Sequence, residues 1–278
     1  RSSTSGGGGG FCSHTQTKHI LLYSHKTSSL LAQVTVYMGP PEYSPNLGHT
    51  FFDQSPIKLA ISLLGKVLKH RFRLTSGDDI WLSARIIETE AYYVNDRASH
   101  SSLGYTNKRR ALFMQPGTIY MYYARGRDSL NFSASGDGNG VLIKSGYPYL
   151  EAHHAASMLT SMQMLNPGTS GPRQVGKLCN GQTLVCQSLN LKVRQWNAKQ
   201  LDPDNFCLQD DCYYPDKIIQ CPRLGIPLGR DEHLPLRFVD AKYAQHATHN
   251  PLTQRRNSPG SIRVFSDPFE VNYPPALL

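Results

Sequence analysis

The chain has 278 residues, 39% of them hydrophobic, and its 29 lysines and arginines outnumber 20 acidic residues for a net charge of +9. This length suits one large domain or two small ones. No run of about 18 apolar residues occurs, so no membrane span is expected. No signal peptide is evident, and we expect an intracellular protein, nuclear in a eukaryote or cytoplasmic in a bacterium. The basic charge favours a partner rich in phosphate, with a basic protein that binds no nucleic acid as the alternative.

Residues 1–48 differ from the rest of the chain. Five consecutive glycines, Gly6 to Gly10, lie in a start rich in serine and threonine, and Pro40-Pro41 marks a loop. This composition predicts a flexible N-terminal extension in which residues 33–37 form a candidate strand.

Regular elements are expected from about Phe51 onward. Ser55 and Pro56 predict the N-cap and first position of a helix, and apolar residues at helical spacing continue it to about residue 68. A strand should follow at 71–74. Further strands are expected at 118–123, 130–134, 141–144, 189–193 and 236–239, and a helix at 151–165. The last forty or so residues are polar and rich in proline, which predicts partial disorder.

The strand that contains Glu90 ends in an unusual way. Alternate side chains of a strand share a face, so the apolar face of residues 80–86 should continue into Glu88, Glu90 and Tyr92. An apolar face that ends in two carboxylates and an aromatic ring predicts a pocket. Apolar surroundings raise the pKa of a carboxylate, which would suit Glu90 to act as a general base.

Six cysteines are present, and five of them fall between Cys179 and Cys221. Their spacings are not those of zinc sites. We therefore expect no bound metal, and reduced thiols that are mostly buried.

Two basic clusters lie close in sequence to the suspected pocket. One is Lys108-Arg109-Arg110 and the other is Arg125-Gly126-Arg127. Both raise the expectation of contacts with phosphates.

An ordered series of motifs extends from about residue 49 to about residue 240. Its main members are Phe51-Phe52-Asp53-Gln54, Glu88-Thr89-Glu90-Ala91-Tyr92, Ala98-Ser99-His100-Ser101, Phe113-Met114-Gln115-Pro116-Gly117-Thr118-Ile119-Tyr120-Met121-Tyr122, Gly136-Asp137-Gly138 and Pro235-Leu236-Arg237-Phe238. At these residues the chain resembles the alkyladenine (3-methylpurine) DNA glycosylase family. Each motif by itself is weak evidence for this family, whereas the order and near-constant spacing of the motifs are specific to it.

The resemblance implies a mixed α/β (α+β) fold, with a single domain around a curved, largely antiparallel sheet, flanking helices and a DNA-inserting β-hairpin. The domain would cover residues 49–265, followed by a tail at 266–278. Family members flip an alkylated or deaminated purine out of double-stranded DNA, because the reacting C1′ is inaccessible inside the base stack. They hydrolyse the N-glycosidic bond without metal or cofactor. The resemblance thus implies a monomer whose partner is DNA containing damaged purines.

The resemblance also implies roles for individual residues of the pocket. Glu90 takes the position of the general base that activates a water to attack C1′. Tyr92, His100 and Tyr122 match the walls of the base pocket, where flat aromatic faces hold a purine and favour a cationic one. Asn131 matches a residue that contacts or excludes the purine edge. No lysine occupies the family's catalytic position, so no strand cleavage is expected and the product should be an abasic site.

Other residues are implied as DNA contacts. Lys144 stands where the family often has arginine and is a candidate phosphate or sugar contact, and the cluster of Lys108, Arg109 and Arg110 suits the DNA backbone. At the hairpin tip the family has a tyrosine wedge, whereas this chain has Arg125 in a hairpin one residue shorter. Arginine can stack between bases and also pair with phosphate. A register shift would instead make Tyr123 the wedge.

Two other classes of function stay open from the sequence. One is a DNA-binding protein with the same fold and little catalysis. The other is a carbohydrate hydrolase that uses Glu88 and Glu90 as a carboxylate pair about 5 to 9 Å apart, although the basic charge argues against a sugar polymer.

Overall fold

The structure is a computed structural model that describes residues 17–20, 34–37, 46–151, 153–253 and 261–274, with the backbone alone described for the first two ranges. Within these residues one antiparallel sheet has nine strands. The sheet confirms the prediction of a mixed α/β fold with largely antiparallel pairing. Its strands are β3 (Val67–Arg73), β4 (Asp79–Tyr92), β5 (Ile119–Ala124), β6 (Arg127–Ser133), β7 (Gly140–Pro148), β9 (Phe206–Gln209), β10 (Ile218–Cys221), β11 (Arg237–Asp240) and β12 (Arg263–Phe265).

The long strand β4 is the centre of this sheet. One of its edges pairs with β3 along Asp79–Arg85 and then with β11 along Glu88–Glu90. Its other edge pairs with β7, which continues the sheet through β6 to β5. The second half of β4 is therefore enclosed on both sides, which fixes the position of Glu90.

Five α-helices are described in the chain, and they pack mainly on the large sheet. They are α1 (His49–Phe52), α2 (Pro56–Leu63), α3 (Ala155–Leu165), α4 (Gln182–Ser188) and α5 (Val193–Trp196). Helices α2 and α3 contact β4, and α4 contacts β6 and β7. Short 3-10 helices lie at His100–Leu103, Asn107–Phe113, Val175–Lys177, Ala241–His246, Pro251–Thr253 and Pro268–Glu270.

Helix α2 begins where the sequence predicts, with Ser55 at the N-cap and Pro56 at the first position. Its predicted end near residue 68 is wrong, because the helix stops at Leu63. Gly65 adopts φ +86°, and a Cβ there would lie 2.8 Å from the ring of Tyr213. Glycine permits this turn and close approach, and the apolar residues after it belong to β3.

Strand β4 contains an irregularity that the alternation rule could not predict. The register with β7 shifts between Ile86 and Glu88 and again between Glu88 and Thr89. Before the shift, Ile86 packs in the main core. Beyond the shift, Ala91 packs there, and the Thr89 hydroxyl donates a hydrogen bond to the Ala60 carbonyl of α2. The core side of the strand thus passes from even to odd positions, as a β-bulge produces. The prediction that residues 80–86 share a face with Glu88, Glu90 and Tyr92 is therefore wrong.

Several other predicted elements are present. Strands β5, β6, β7 and β11 and helix α3 match predictions, although β7 is longer and α3 starts four residues later than predicted. The strand predicted at 189–193 is wrong, because Asn190 has φ +54° in a turn between α4 and α5. Leu189 and Leu191 are nevertheless buried in the core, which explains the apolar signal.

The N-terminal region is described only in part. β1 (Thr17–Ile20) pairs with β2 (Val34–Tyr37), matching the candidate strand, and β2 runs parallel to β8 (Leu150–Glu151). Residues 1–16, 21–33 and 38–45, for which flexibility was predicted, lie outside the described residues, as do 254–260 and 275–278. Asn46 bridges to Gln209 of β9.

Cysteines contribute mainly to the interior. Cys179, Cys186, Cys207 and Cys221 are free and buried, as predicted, whereas Cys212 is disulfide-bonded, which the sequence did not lead us to expect. Among the described residues, no cluster of histidine, cysteine and acidic side chains has the arrangement of a metal site. None of the helices described here is long and apolar enough to cross a membrane.

Candidate active site

A cleft of about 680 Å³ opens beside the second half of β4. Its walls come from β5, β6 and β7, from the loop before the 3-10 helix at 100–103, and from a loop at 224–230. The cleft brings together most of the site residues predicted from the sequence. Those that line it are Tyr92, His100, Tyr122, Arg125, Asn131 and Lys144.

Glu90 lies one layer behind this surface and is fully buried. Its Oε2 accepts a hydrogen bond of 2.7 Å from the Tyr92 hydroxyl. Its Oε1 lies 3.1 Å from Lys144 Nζ and accepts from the Leu224 backbone N–H at 3.3 Å. Three residues that line the cleft therefore bind the carboxylate directly.

Two opposing effects act on the pKa of Glu90. Burial is the largest effect and raises the pKa, whereas the charge of Lys144, the Tyr92 hydroxyl and the charge of Arg237 lower it. The lowering contributions together exceed the burial effect, and the net pKa lies below the ordinary value for glutamate. The prediction of a raised pKa is wrong, because it considered apolar burial without the cation that the fold places beside the carboxylate.

Lys144 reaches Glu90 because of the irregular pairing of β4 and β7. Glu88 pairs with Ser145 and Thr89 with Ile143, so Lys144 is the extra residue on its strand. A bulge of this kind re-aims a side chain. Lys144 was predicted as a phosphate or sugar contact, and the structure adds a contact with the proposed general base.

Three aromatic rings form one cluster on a wall of the cleft. The ring centroids of His100 and Tyr122 lie 4.6 Å apart, and Tyr120 stacks on Tyr122 at 5.7 Å. The Tyr120 hydroxyl is 2.9 Å from His100 Nδ1. Burial lowers the pKa of His100, and the charges of Arg109 and Arg230 lower it further. The imidazole is therefore neutral near pH 7 and adds no positive charge to the cleft.

Asn131 is held by the same pair of strands. It pairs with Tyr120 across β5 and β6, and its side-chain nitrogen donates to the Tyr120 carbonyl at 3.1 Å. The amide is nearly buried but still contributes to the cleft lining. Its side-chain position is thus fixed before any ligand enters.

Arg125 lies at the tip of the β5–β6 hairpin. Ala124 pairs with Arg127, so the loop has only two residues, Arg125 with φ +51° and Gly126 with φ +78°. These angles are those of a type I′ hairpin turn. Arg125 and Arg127 are exposed and line the cleft, while the alternative wedge Tyr123 is 54% exposed and does not.

The predicted cluster Lys108-Arg109-Arg110 does not line the cleft. It lies in the 3-10 helix Asn107–Phe113, where Lys108 and Arg110 are exposed. Arg109 donates to the Gly104 carbonyl at 2.8 Å, and its charge acts on His100. The cluster is therefore beside the cleft, where it could meet a polyanion outside the pocket.

Glu88 differs from Glu90 although the two are close on one strand. Its carboxylate is fully buried and accepts from Arg237 Nε at 2.6 Å, Ser145 Oγ at 2.5 Å and the Thr248 backbone at 2.8 Å. Glu88 does not line the cleft. A carboxylate with these three partners holds structure together, which argues against a Glu88–Glu90 pair acting on a carbohydrate.

The sequence analysis missed one wall of the cleft. Leu224, Gly225, Ile226 and Pro227 line it together with Arg230. The sequence signals a loop here through Pro222, Gly225, Pro227 and Gly229, and both glycines adopt positive φ. Strand pairing brings this loop to Glu90, since β11 lies between β10 and β4.

Comparisons with known proteins identify the family of the chain. The sequence model of the family described as Methylpurine-DNA glycosylase (MPG) matches residues 50–244. A protein of Pseudomonas aeruginosa (strain LESB58), named "Putative 3-methyladenine DNA glycosylase", is 54% identical over 213 residues, covering 76% of this chain and 87% of that protein. Proteins of the same name from Pseudomonas fluorescens and Methanocella arvoryzae are 52% and 32% identical, covering 80% and 78% of this chain and 94% and 100% of their own lengths.

The family match covers the sheet from β3 to β11, together with the cleft up to the loop at 224–230. It includes Glu90 and every cleft residue predicted from the sequence. The resemblance seen in the motifs is thereby confirmed, and the chain belongs to the methylpurine-DNA glycosylase family.

Proposed function

We propose that this DNA glycosylase, a monofunctional hydrolase by its family, flips alkylated or deaminated purines out of duplex DNA. Water activated by Glu90 then hydrolyses the N-glycosidic bond and leaves an abasic site. The observation that carries the proposal is the placement of a buried, ionised carboxylate directly behind Tyr92 and Lys144 in an aromatic cleft. We propose that the protein acts as a monomer and without a cofactor.

Glu90 suits this reaction in two ways. The sugar gains positive charge as the bond to the base breaks, and a fixed carboxylate stabilises that charge. A carboxylate has about four acceptor positions, of which Tyr92, Lys144 and Leu224 occupy three. The remaining position would bind the water. Because the carboxylate is fully covered, we expect this water to gain access when the incoming nucleotide displaces Lys144.

The base would occupy the aromatic part of the cleft. Tyr92, His100 and Tyr122 offer flat faces that stack on a purine. Asn131, with its amide already bonded to Tyr120, would contact or exclude the purine edge. A neutral His100 adds no repulsion against a base made cationic by alkylation.

Exposed cations around the cleft would bind the DNA backbone. Arg125, with Arg127 beside it, would enter or approach the gap left by the flipped nucleotide. Lys108, Arg109 and Arg110 would contact phosphates outside the pocket, and Lys144 would lie nearest to the sugar. Such contacts make affinity fall steeply as salt rises.

The test is base release from duplexes that contain hypoxanthine, ethenoadenine or 3-methyladenine at one position. We expect release of at least one of these bases, and abasic sites that appear as strand breaks only after alkaline treatment. Undamaged duplex of the same sequence is the control. Tight binding to all lesion duplexes without release of any base would overturn the proposal in favour of a non-catalytic DNA-binding protein.

A further inference from the structure

Arg223 lies directly behind the ring of Tyr92. Its guanidinium carbon is 4.6 Å from the ring centroid, and its side chain is fully buried. Arg223 does not line the cleft, whereas Tyr92 does. The tyrosine ring therefore separates a positive charge from the space that the damaged base would occupy.

Arg223 is held in this position by three segments of the chain. Its Nη1 and Nη2 both bind the Asp96 carboxylate, and Nη2 does so at 3.0 Å. Nη1 also donates to the Ala91 carbonyl at 3.1 Å, and Nη2 to the Asp231 carbonyl at 3.4 Å. The guanidinium thus joins the end of β4 to the loops on both sides of the cleft and cannot leave the ring without breaking these bonds.

A cation is attracted to the negative face of an aromatic ring. When one face is already occupied by a cation, a second cation on the opposite face gains less from the ring and is repelled by the first charge. A neutral base stacks by dispersion and area burial, which a charge behind the ring changes little. The two classes of damaged purine should therefore respond differently to Arg223.

We propose that Arg223 is a specificity-determining residue, which acts through Tyr92 to lower the preference of the pocket for cationic purines relative to neutral ones. This inference rests on the proposed function and concerns the same site. Asp96 does not cancel the effect, because it binds the edge of the guanidinium while the guanidinium itself faces the ring. Burial and the charge of Glu90 raise the pKa of Tyr92 well above its ordinary value, and Arg223 is the charge that lowers it.

The test compares one cationic and one neutral lesion in the same duplex sequence. 7-Methylguanine carries a fixed positive charge, and hypoxanthine is neutral. Single-turnover base release is measured for both, after correction for uncatalysed loss. In the double variant Arg223→Gln/Asp96→Asn, two amides replace the ion pair and avoid an unpaired buried charge. We expect the ratio of cationic to neutral release to rise about threefold to tenfold over wild type, on the order of one cation–π contact.

A matched control exists elsewhere in the sheet. Arg85 and Asp211 also form a buried two-point ion pair, at 2.9 and 2.5 Å, and the Arg85 guanidinium lies 4.3 Å from the Tyr213 ring. Tyr213 does not line the cleft. Arg85→Gln/Asp211→Asn should therefore lower stability without changing the ratio of the two release rates.

A second variant tests whether the charge of Arg223 lowers the ratio of cationic to neutral base release. Asp96→Asn keeps the positive charge and removes its counter-charge, so the ratio should fall below that of wild type. Because it leaves a buried charge unpaired, both release rates are measured below its melting temperature and expressed per folded molecule. Equal changes in both release rates for the Arg223 and Asp96 variants would show that the pair only stabilises structure and would overturn the inference. If wild type releases neither of these two bases and also neither ethenoadenine nor 3-methyladenine, the proposed function fails instead.

Discussion

At Glu90, burial and a neighbouring charge have opposite effects on one carboxylate. Burial alone would favour the protonated acid, but Lys144, Tyr92 and Arg237 favour the anion, and together they prevail. The result is a carboxylate that is charged before DNA binds. In the proposed reaction this state would stabilise positive charge on the sugar but would make the carboxylate a weaker proton acceptor, so we expect the proton of the attacking water to be transferred to Glu90 late in the reaction.

Glu90→Gln should abolish most base release while preserving lesion binding, because the amide keeps the shape and loses both charge and basicity. We expect the single-turnover rate to fall roughly 100-fold or more, with Kd for lesion duplex changed little. Glu88→Gln is the matched control on the same strand. It breaks a buried pair with Arg237 and should lower thermal stability, with a much smaller effect on the rate per folded molecule. Near-normal turnover of Glu90→Gln would exclude the mechanism.

The pH profile of base release from hypoxanthine duplex tests the pKa of Glu90. Since that pKa is lowered, the fraction of ionised Glu90 should stay constant from pH 8 to about pH 6 and fall only below the ordinary glutamate value of 4.5. The stability that its ionisation contributes is likewise present above this value and lost as pH falls through the folded-state pKa. Lys144→Met should raise the pKa of Glu90, so the loss of activity at acid pH should begin at a higher pH than in wild type, whereas Lys144→Arg should leave it unchanged. If the acid decline of Lys144→Met occurs at the same pH as that of wild type, Lys144 does not determine the pKa that controls it.

At the scale of single elements, two local irregularities of β-structure shape the site. The bulge opposite Glu88 aims Lys144 at the carboxylate. The two-residue turn of the β5–β6 hairpin presents Arg125 with the backbone in a left-handed conformation. This conformation is unfavourable to a similar degree for arginine, lysine and alanine, so substitutions among these three compare side chains and leave the turn much the same.

Arg125 variants test whether the hairpin tip fills the gap left by the flipped base. If it does, Arg125→Ala should lower single-turnover release, and Arg125→Lys should stay impaired, because lysine restores charge but not planar stacking. If Arg125 contributes only to the basic field, lysine should behave like wild type and alanine should lose about one phosphate contact in the salt dependence of binding. Full activity of Arg125→Ala would point to Tyr123, which Tyr123→Ala would then test.

At the scale of the whole molecule, one large sheet and its helices bury a common core, and several ion pairs lie within it. Arg85–Asp211, Arg223–Asp96 and Arg237–Glu88 are nearly or completely buried. Each joins segments that are distant in sequence, and breaking one by removal of a single partner costs about 3 to 5 kcal/mol. The N-terminal edge of the main sheet lies near Leu47, whose N–H donates to the Leu208 carbonyl at 2.8 Å, whereas β2 pairs with β8 in the smaller sheet.

Truncation should locate this N-terminal edge. A protein that starts at residue 46 loses the pairing of β2 with β8 but keeps the contacts of Asn46 and Leu47 with β9, and we expect a Tm close to that of the full chain and equal base release. A protein that starts at residue 49 loses those contacts, at about 1 to 2 kcal/mol, and its Tm should fall by roughly 2 to 8 °C. If the protein that starts at residue 46 does not fold or is inactive, residues before 46 belong to the domain.

The family, most of the main strands and several residues of the cleft could be predicted from the sequence, because motif spacing and apolar periodicity are local properties of the chain. The sequence predicted correctly that Tyr92, His100 and Tyr122 line one cleft, whereas Glu90 lies one layer behind its surface. The lowered pKa of Glu90 and the cleft wall at 224–230 emerge only from the folded arrangement of distant segments. Lys144 reaches the carboxylate through a change in strand register, and Arg223 reaches Tyr92 from 131 residues farther along the chain. Such pairings depend on how distant strands align, which no periodicity within a single segment encodes.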